Sequence, residues 1–236
     1  MIVTYNGKNY SGYQIQKNGN TIQEELEKAI EIITKQKTTC VASGRTDAKV
    51  SAYAQAVHFD IEQTLNEFKF LNSINGILPD DIKVLSIAPT ELHARFSAKR
   101  KTYVYKMYMS KIDLPLYANS LQINPEINIK EMNKFIKLLV GTHDFKGFQS
   151  SGSPTETTVR TIYKASLKQN GLCLTFSITG NGFLYKMVRN IVGTMLKIGE
   201  GRLTLKELKP TLFTTFKATA TAKPDYLYLF NVEYPN

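Results

Sequence analysis

Three stretches of the 236-residue chain carry residue types that can do chemistry. The first is Gly44-Arg45-Thr46-Asp47. It follows a short strand-like run and falls in a loop, where function concentrates. Gly44 permits a tight backbone there. Arg45 and Asp47 are two residues apart, so they share a face in an extended stretch and diverge in a turn. The plain alternative for a loop aspartate is turn former or helix cap. The second stretch runs from His93 to Lys106 and holds Arg95, Lys99, Arg100, Lys101 and Lys106 with Phe96, Tyr103 and Tyr105, and no acid. Cations can hold phosphates while aromatic rings stack on unpaired bases, at roughly 1–3 kcal/mol per stack. An exposed edge strand guarded by lysine reads the same way. The third is Asn181–Asn190, opening a segment in which Met187, Val188, Ile191, Val192 and Met195 are apolar and Arg189 is charged. A buried cation needs an anion, from protein or ligand; the alternative is that Arg189 snorkels to solvent.

Other chemistries find little support. His58, His93 and His143 lack ligand spacing and read as structural or surface residues, so no metal is expected. Neither glycine-rich nucleotide fingerprint occurs, nor a serine or cysteine nucleophile signature, and no cofactor is expected. Cys40 and Cys173 are far apart and read as small buried hydrophobes in a reducing, cytoplasmic setting. No signal-peptide pattern or membrane-length apolar run appears. The net charge of +10 favours a polyanionic partner, because lysine and arginine displace counterions from phosphates.

The elements that must position these residues follow from periodicity. A strand and turn are expected over 2–15. Thr21 and Glu24 form a capping box for a helix over 22–34, with Ile22, Leu26, Ile30 and Ile33 at helical spacing. A short strand over 38–42 leads into the 43–50 loop, then a strand over 54–62. A helix over 65–74 stops at Asn75-Gly76, and strands follow at 82–88 and 102–109. Asn128 and Glu131 cap a helix striped by Met132, Phe135, Ile136 and Leu139, ended by Gly141. Residues 150–157 read as a flexible loop, and Asn170-Gly171 as a hairpin turn. A helix over 183–198 and a C-terminal strand complete an α+β chain, mostly antiparallel. A division into 1–105 and 106–236 is expected.

Taken together, the stretches resemble the tRNA pseudouridine synthase A family, in order and over nearly the whole chain. The likeness rests on Tyr5-Asn6-Gly7, Ser11-Gly12-Tyr13-Gln14, SGRTDAKVSAYAQAVHFD, HARFSA with Tyr103-Val-Tyr105, GTHDF at 141–145, RTI at 160–162, FLYKMVRNIVGTML at 183–196 and LYLFNVEYP at 227–235. It implies a pseudouridine synthase fold: two similar α/β halves, with mixed, mostly antiparallel sheets flanked by helices, around a central basic cleft. It implies Asp47 as catalytic nucleophile, Arg189 as its partner and Tyr103 as the ring packed on the target uracil. Arg45, Arg95 and Leu227 are implied substrate contacts. The expected substrate is tRNA, at uridines 38, 39 and 40 of the anticodon arm, bound by a homodimer without membrane association. Three positions depart from the family pattern: Lys49 for glycine, Ser51 for histidine and Asn6 for aspartate. Lys49 is expected to alter the loop backbone, since lysine does not adopt positive φ cheaply. The competing class is a catalytically silent RNA-binding relative; the joint presence of Asp47, Arg45, Tyr103 and Arg189 favours the enzyme, because binding alone needs no acid beside phosphates.

Overall fold

A computed structural model describes residues 1–152 and 155–235. Its elements run β1 (Ile2–Tyr5), α1 (Ile22–Thr34), β2 (Val41–Ala42), β3 (Ser51–His58), α2 (Glu67–Ile77), β4 (Ile82–Ser86), β5 (Arg100–Met109), β6 (Leu121–Ile123), α3 (Ile129–Leu138), β7 (Gly141–Asp144), β8 (Val159–Asn170), β9 (Cys173–Gly180), α4 (Met187–Gly199), the single turn α5 (Leu205–Leu208) and β10 (Leu227–Glu233). Residues 150–152 and 155–157 form no helix or strand. Ser153 and Pro154, also within the expected loop, lie outside the described residues. The internal contacts gather into two units, Met1–Lys99 with the residues from Tyr228 onward, and Arg100–Leu227. The sequence places its division six residues later and leaves the last strand in the second half.

In the first unit the strand order is β4-β1-β3-β10, with β2 on β3. β1 is antiparallel to β3 and β4, while β10 runs parallel to β3. Helix α1 starts where Thr21 Oγ1 accepts the Glu24 amide at 3.4 Å; the Glu24 carboxylate turns to Lys28 at 2.8 Å, so half of the expected capping box forms. Ile22, Leu26 and Ile30 are fully buried, each contributing about 1.5–3 kcal/mol. Helix α2 continues past the expected stop at Asn75. The Asn75 side chain bonds both the amide and the carbonyl of Val84 at 2.8 Å, so it ties the helix to β4 instead of ending it.

Strand β3 begins earlier than expected and stops at His58, which docks the 93–97 loop. The His58 Nδ1 accepts the Ala94 amide at 3.1 Å, and the two imidazoles of His58 and His93 are 4.5 Å apart. Tyr234 donates to the Ala94 carbonyl at 2.6 Å. An imidazole accepting at Nδ1 must carry its proton on Nε2 and is therefore neutral.

In the second unit the order is β5-β9-β8-β7, antiparallel throughout, with the short β6 parallel to β5. Asn170 pairs with Cys173, so Gly171-Leu172 make the turn, and Gly171 takes a φ of 56° that suits it. Asn128 Oδ1 accepts the Glu131 amide at 3.1 Å, and Met132, Phe135 and Ile136 of α3 are buried where the helix packs against α4 and β8. Both units thus show the mixed, mostly antiparallel α+β pairing read from the sequence.

Helix α4 begins at Met187 and not at 183, because Lys186 adopts a φ of 56°. A strap at 219–222 then runs antiparallel along it. The Ala222 amide donates to the Arg189 carbonyl at 3.0 Å, Thr221 Oγ1 to Asn190 Oδ1 at 2.6 Å, and Lys197 Nζ to Thr219 Oγ1 at 2.7 Å. Between them Ala220 lies on Gly193, where a Cβ would overlap the Ala220 carbonyl.

Gly193→Ala should therefore destabilise the protein by about 1–3 kcal/mol in urea unfolding; an unchanged midpoint would show that the strap does not bear on the helix. A second expectation concerns pH. Burial first, and the charge of His93 second, hold His58 below its ordinary 6.5. The unfolded chain binds that proton more readily, so stability present above pH 6.5 is lost as pH falls through the lower folded value. Melting temperatures between pH 7.5 and 5 should fall. His58→Asn, which does not titrate, should remove that part of the decline.

Candidate active site

The loop from Ser43 to Val50 is held from three sides within the first unit. Gln55 is a fully buried amide in the middle of β3. It accepts from Ser43 Oγ at 2.7 Å and donates to the Gly44 carbonyl at 2.8 Å and to Tyr5 Oη at 3.4 Å. Tyr5, at the end of β1, shares a 2.8 Å hydrogen bond with Thr46 Oγ1. Burial pushes the Tyr5 hydroxyl up to about 12, so it is neutral and able to donate. On the third side the Tyr13 amide donates to the Thr46 carbonyl at 3.1 Å. Gly12, at a φ of 105°, passes so close that a Cβ would stand 2.8 Å from the same carbonyl.

These bonds fix the residues on either side of Arg45 and the one before Asp47. Thr46 is buried, Arg45 exposed and Asp47 half-buried, so the acid and its neighbouring cation have different surroundings. Asp47 opens a turn closed by the Val50 amide on its carbonyl at 3.1 Å. Lys49 occupies the left-handed position of that turn with a φ of 67°, anchored by its amide on the Tyr10 carbonyl at 3.1 Å. Lysine does not adopt positive φ cheaply, yet Lys49 adopts it here, at about 1–2 kcal/mol, because its neighbours hold it there. Ser51, the second departure, accepts the Gly7 amide at 3.0 Å. Asn6 caps the following short turn through the Lys8 amide at 3.2 Å.

Arg95 lies on the separate 93–97 loop. It is exposed, with its guanidinium carbon 5.8 Å from the Phe96 ring centre.

In the second unit, Tyr103 projects from β5 opposite Ile178 and packs edge-on against Phe183 at 5.2 Å. Tyr105, two residues on and so on the same face, is buried and donates to the Lys223 carbonyl at 3.0 Å. Arg189 Nε donates to the adjacent Ala222 carbonyl at 2.8 Å. Its positive charge acts on the Tyr105 hydroxyl against the upward push of burial. Arg189 and Tyr105 thus converge on consecutive carbonyls, that of Ala222 at the end of the strap and that of Lys223 just after it, with Tyr103 on the same strand face as Tyr105. Leu227 is buried immediately after the turn at Pro224–Tyr226.

Sequence reasoning missed the supporting residues. Gln55 alone gave a signal, as an amide sharing a strand face with Val57 and Phe59. Nothing in Thr219–Ala222 marks it as the strap that receives Arg189. Both cysteines are free, Cys40 buried and Cys173 half-buried; burial pushes the Cys40 thiol far up. Among the described residues no group of three or more His, Cys, Asp or Glu could hold a metal ion. No described helix is long and apolar enough to cross a membrane.

Comparison with known proteins gives this arrangement its context. A family profile described as tRNA pseudouridine synthase matches residues 1–97 and 135–235. The tRNA pseudouridine synthase A of Anoxybacillus flavithermus is 41% identical over 239 residues, covering 99% of this chain and 97% of its own. That of a Thermoanaerobacter species is 39% identical, covering 99% and 98%. Among solved structures, a chain of a Cbf5-Nop10-Gar1 complex matches at 14% identity and a TM-score of 0.35; the match spans 84% of this chain and about half, 54%, of that one. With the match running nearly end to end and taking in both the Asp47 loop and the Arg189 helix, the chain belongs to the tRNA pseudouridine synthase family.

Proposed function

We propose that the protein isomerises uridine to pseudouridine at positions 38, 39 and 40 in the anticodon arm of tRNA. The observation that carries this reading is the fixed Asp47 loop, clamped by Tyr5, Gln55 and Gly12, in a chain that matches tRNA pseudouridine synthases A along its length. The reaction breaks the N1–C1′ bond, turns the uracil and joins C5 to C1′. No atom is lost and no electron is transferred, so the chemistry itself calls for no cofactor.

Asp47 is the proposed nucleophile and must be ionised to act. Arg189 is the second proposed catalytic residue. Anchoring Arg189 through Nε to Ala222 fixes the direction of the remaining guanidinium nitrogens. Tyr103 and Leu227 are proposed to hold the uracil, the tyrosine by stacking and as a proton donor or acceptor. Arg45, exposed beside the fixed loop, and Arg95 are proposed contacts to the RNA. Arg45 would help displace the target nucleotide, at a few kcal/mol of unstacking.

In this reading the catalytic loop belongs to the N-terminal half and Arg189 to the C-terminal half. A cytoplasmic homodimer binding one tRNA completes the proposal; the net charge of +10 supports the polyanionic partner.

Purified protein incubated with tRNA and mapped with carbodiimide should show pseudouridine in the anticodon arm. Asp47→Asn and Asp47→Ala should each lower the rate by roughly 10²–10⁴-fold or more while tRNA binding persists. Wild-type protein that binds tRNA without forming product would establish the silent RNA-binding alternative; full activity in Asp47→Asn would remove the role assigned to the carboxylate.

A further inference from the structure

The 93–97 loop is held by more hydrogen bonds than so short a connection requires. His93 Nδ1 accepts both the Arg95 amide at 3.1 Å and the Phe96 amide at 3.2 Å. The His93 amide donates to Ser97 Oγ at 3.1 Å, and the Ser97 amide returns to the His93 carbonyl at 2.9 Å. His58 and Tyr234 fix Ala94 from either side. This network presents Phe96, a residue 78% exposed. The His93 ring backs it at 4.4 Å, and an exposure so high leaves most of the ring open to solvent.

A lone exposed apolar residue is ordinary. Phe96 differs because its backbone is fixed on both sides, its ring is supported by a second ring, and cations surround it in sequence. From Leu92 to Ile112 there is no acid, while Arg95, Lys99, Arg100, Lys101, Lys106 and Lys111 are present. A second copy of this chain, itself at +10, is disfavoured as the occupant by like charge. An unpaired nucleotide supplies both partners at once: a flat base for the ring and a phosphate for the guanidinium.

We propose that the 93–97 loop is a rigid stacking finger, in which Phe96 receives an unpaired base of bound tRNA and Arg95 meets the adjoining phosphate. This rests on the reading of the protein as a tRNA-modifying enzyme and adds a subsite to it, separate from the residues assigned to the target uracil. The hydrogen bonds set the loop before RNA arrives, so little ordering entropy opposes the stack.

The chain contains no tryptophan, so Phe96→Trp introduces a single indole at this position. Its emission should be quenched on titration with an anticodon stem-loop and should stay constant with a fully paired RNA duplex. Phe96→Ala should weaken stem-loop binding roughly 5- to 100-fold, seen in KM and not in kcat, with the melting temperature at the wild-type value; Phe96→Trp should bind like wild type. Arg95→Ala should lower the slope of log affinity against log salt by about 1. Unquenched indole emission at saturating stem-loop, wild-type affinity in Phe96→Ala, or a penalty equal on stem-loop and duplex would each overturn the inference. Pseudouridine formation by the wild-type protein is scored separately: quenching without product would leave the finger standing and refute the assigned reaction.

Discussion

The Gln55 side chain is the point on which the Asp47 loop depends. A buried primary amide has two donors and two acceptor sites to satisfy, and leaving such a group without partners costs about 1–3 kcal/mol. Here its bonds run to Ser43, Gly44 and Tyr5, so the same atoms that relieve burial also determine where the loop begins. Tyr5 extends the network to Thr46, one residue short of the proposed nucleophile. A loop tied in this way is set by the sheet beneath it. Preorganised charge acts on a reaction without being reoriented during it, which is the property a catalytic carboxylate needs.

The second unit solves a related problem with backbone. Helix α4 is apolar on most sides, yet carries Arg189 and buried Asn190. The 219–222 strap supplies what those two side chains require, a carbonyl from Ala222 for Arg189 and the hydroxyl of Thr221 for Asn190. Gly193 allows the strap to lie directly on the helix. Because Tyr105 donates to the next carbonyl, that of Lys223, one short segment aligns the arginine and the aromatic strand together. Each of the three stretches is therefore held by residues distant in the chain.

That division describes what the sequence reveals. Thr21, Asn128 and the Ile22-Leu26-Ile30 stripe report local physics, and the helices form where they indicate. Asn170-Gly171 marks a real hairpin, although its turn is one residue further along. Boundaries moved where tertiary contact overrides local preference: Asn75 reads as a stop until its side chain is seen bonded to Val84, and Lys49 reads as unsuited to positive φ until the Tyr10 carbonyl is seen to anchor its amide. Asp47, Tyr103 and Arg189 stand out in the sequence as residue types, while the roles proposed for them come from the family resemblance. Most of their supports do not stand out, because Gly12 and Ala222 act through long-range contacts that leave no periodic trace.

The last strand has a consequence for how the molecule is made. β10 runs beside β3, although some 170 residues of chain separate them. During synthesis the first unit leaves the ribosome with that flank of β3 uncovered, and open strand flanks invite intermolecular pairing. The second unit, Arg100–Leu227, is contiguous and is complete before the first. Translation therefore delivers the second unit ready to fold while the first waits for β10, and a chain cut short before Tyr228 would retain the half that bears Arg189 yet never close the half that bears the carboxylate.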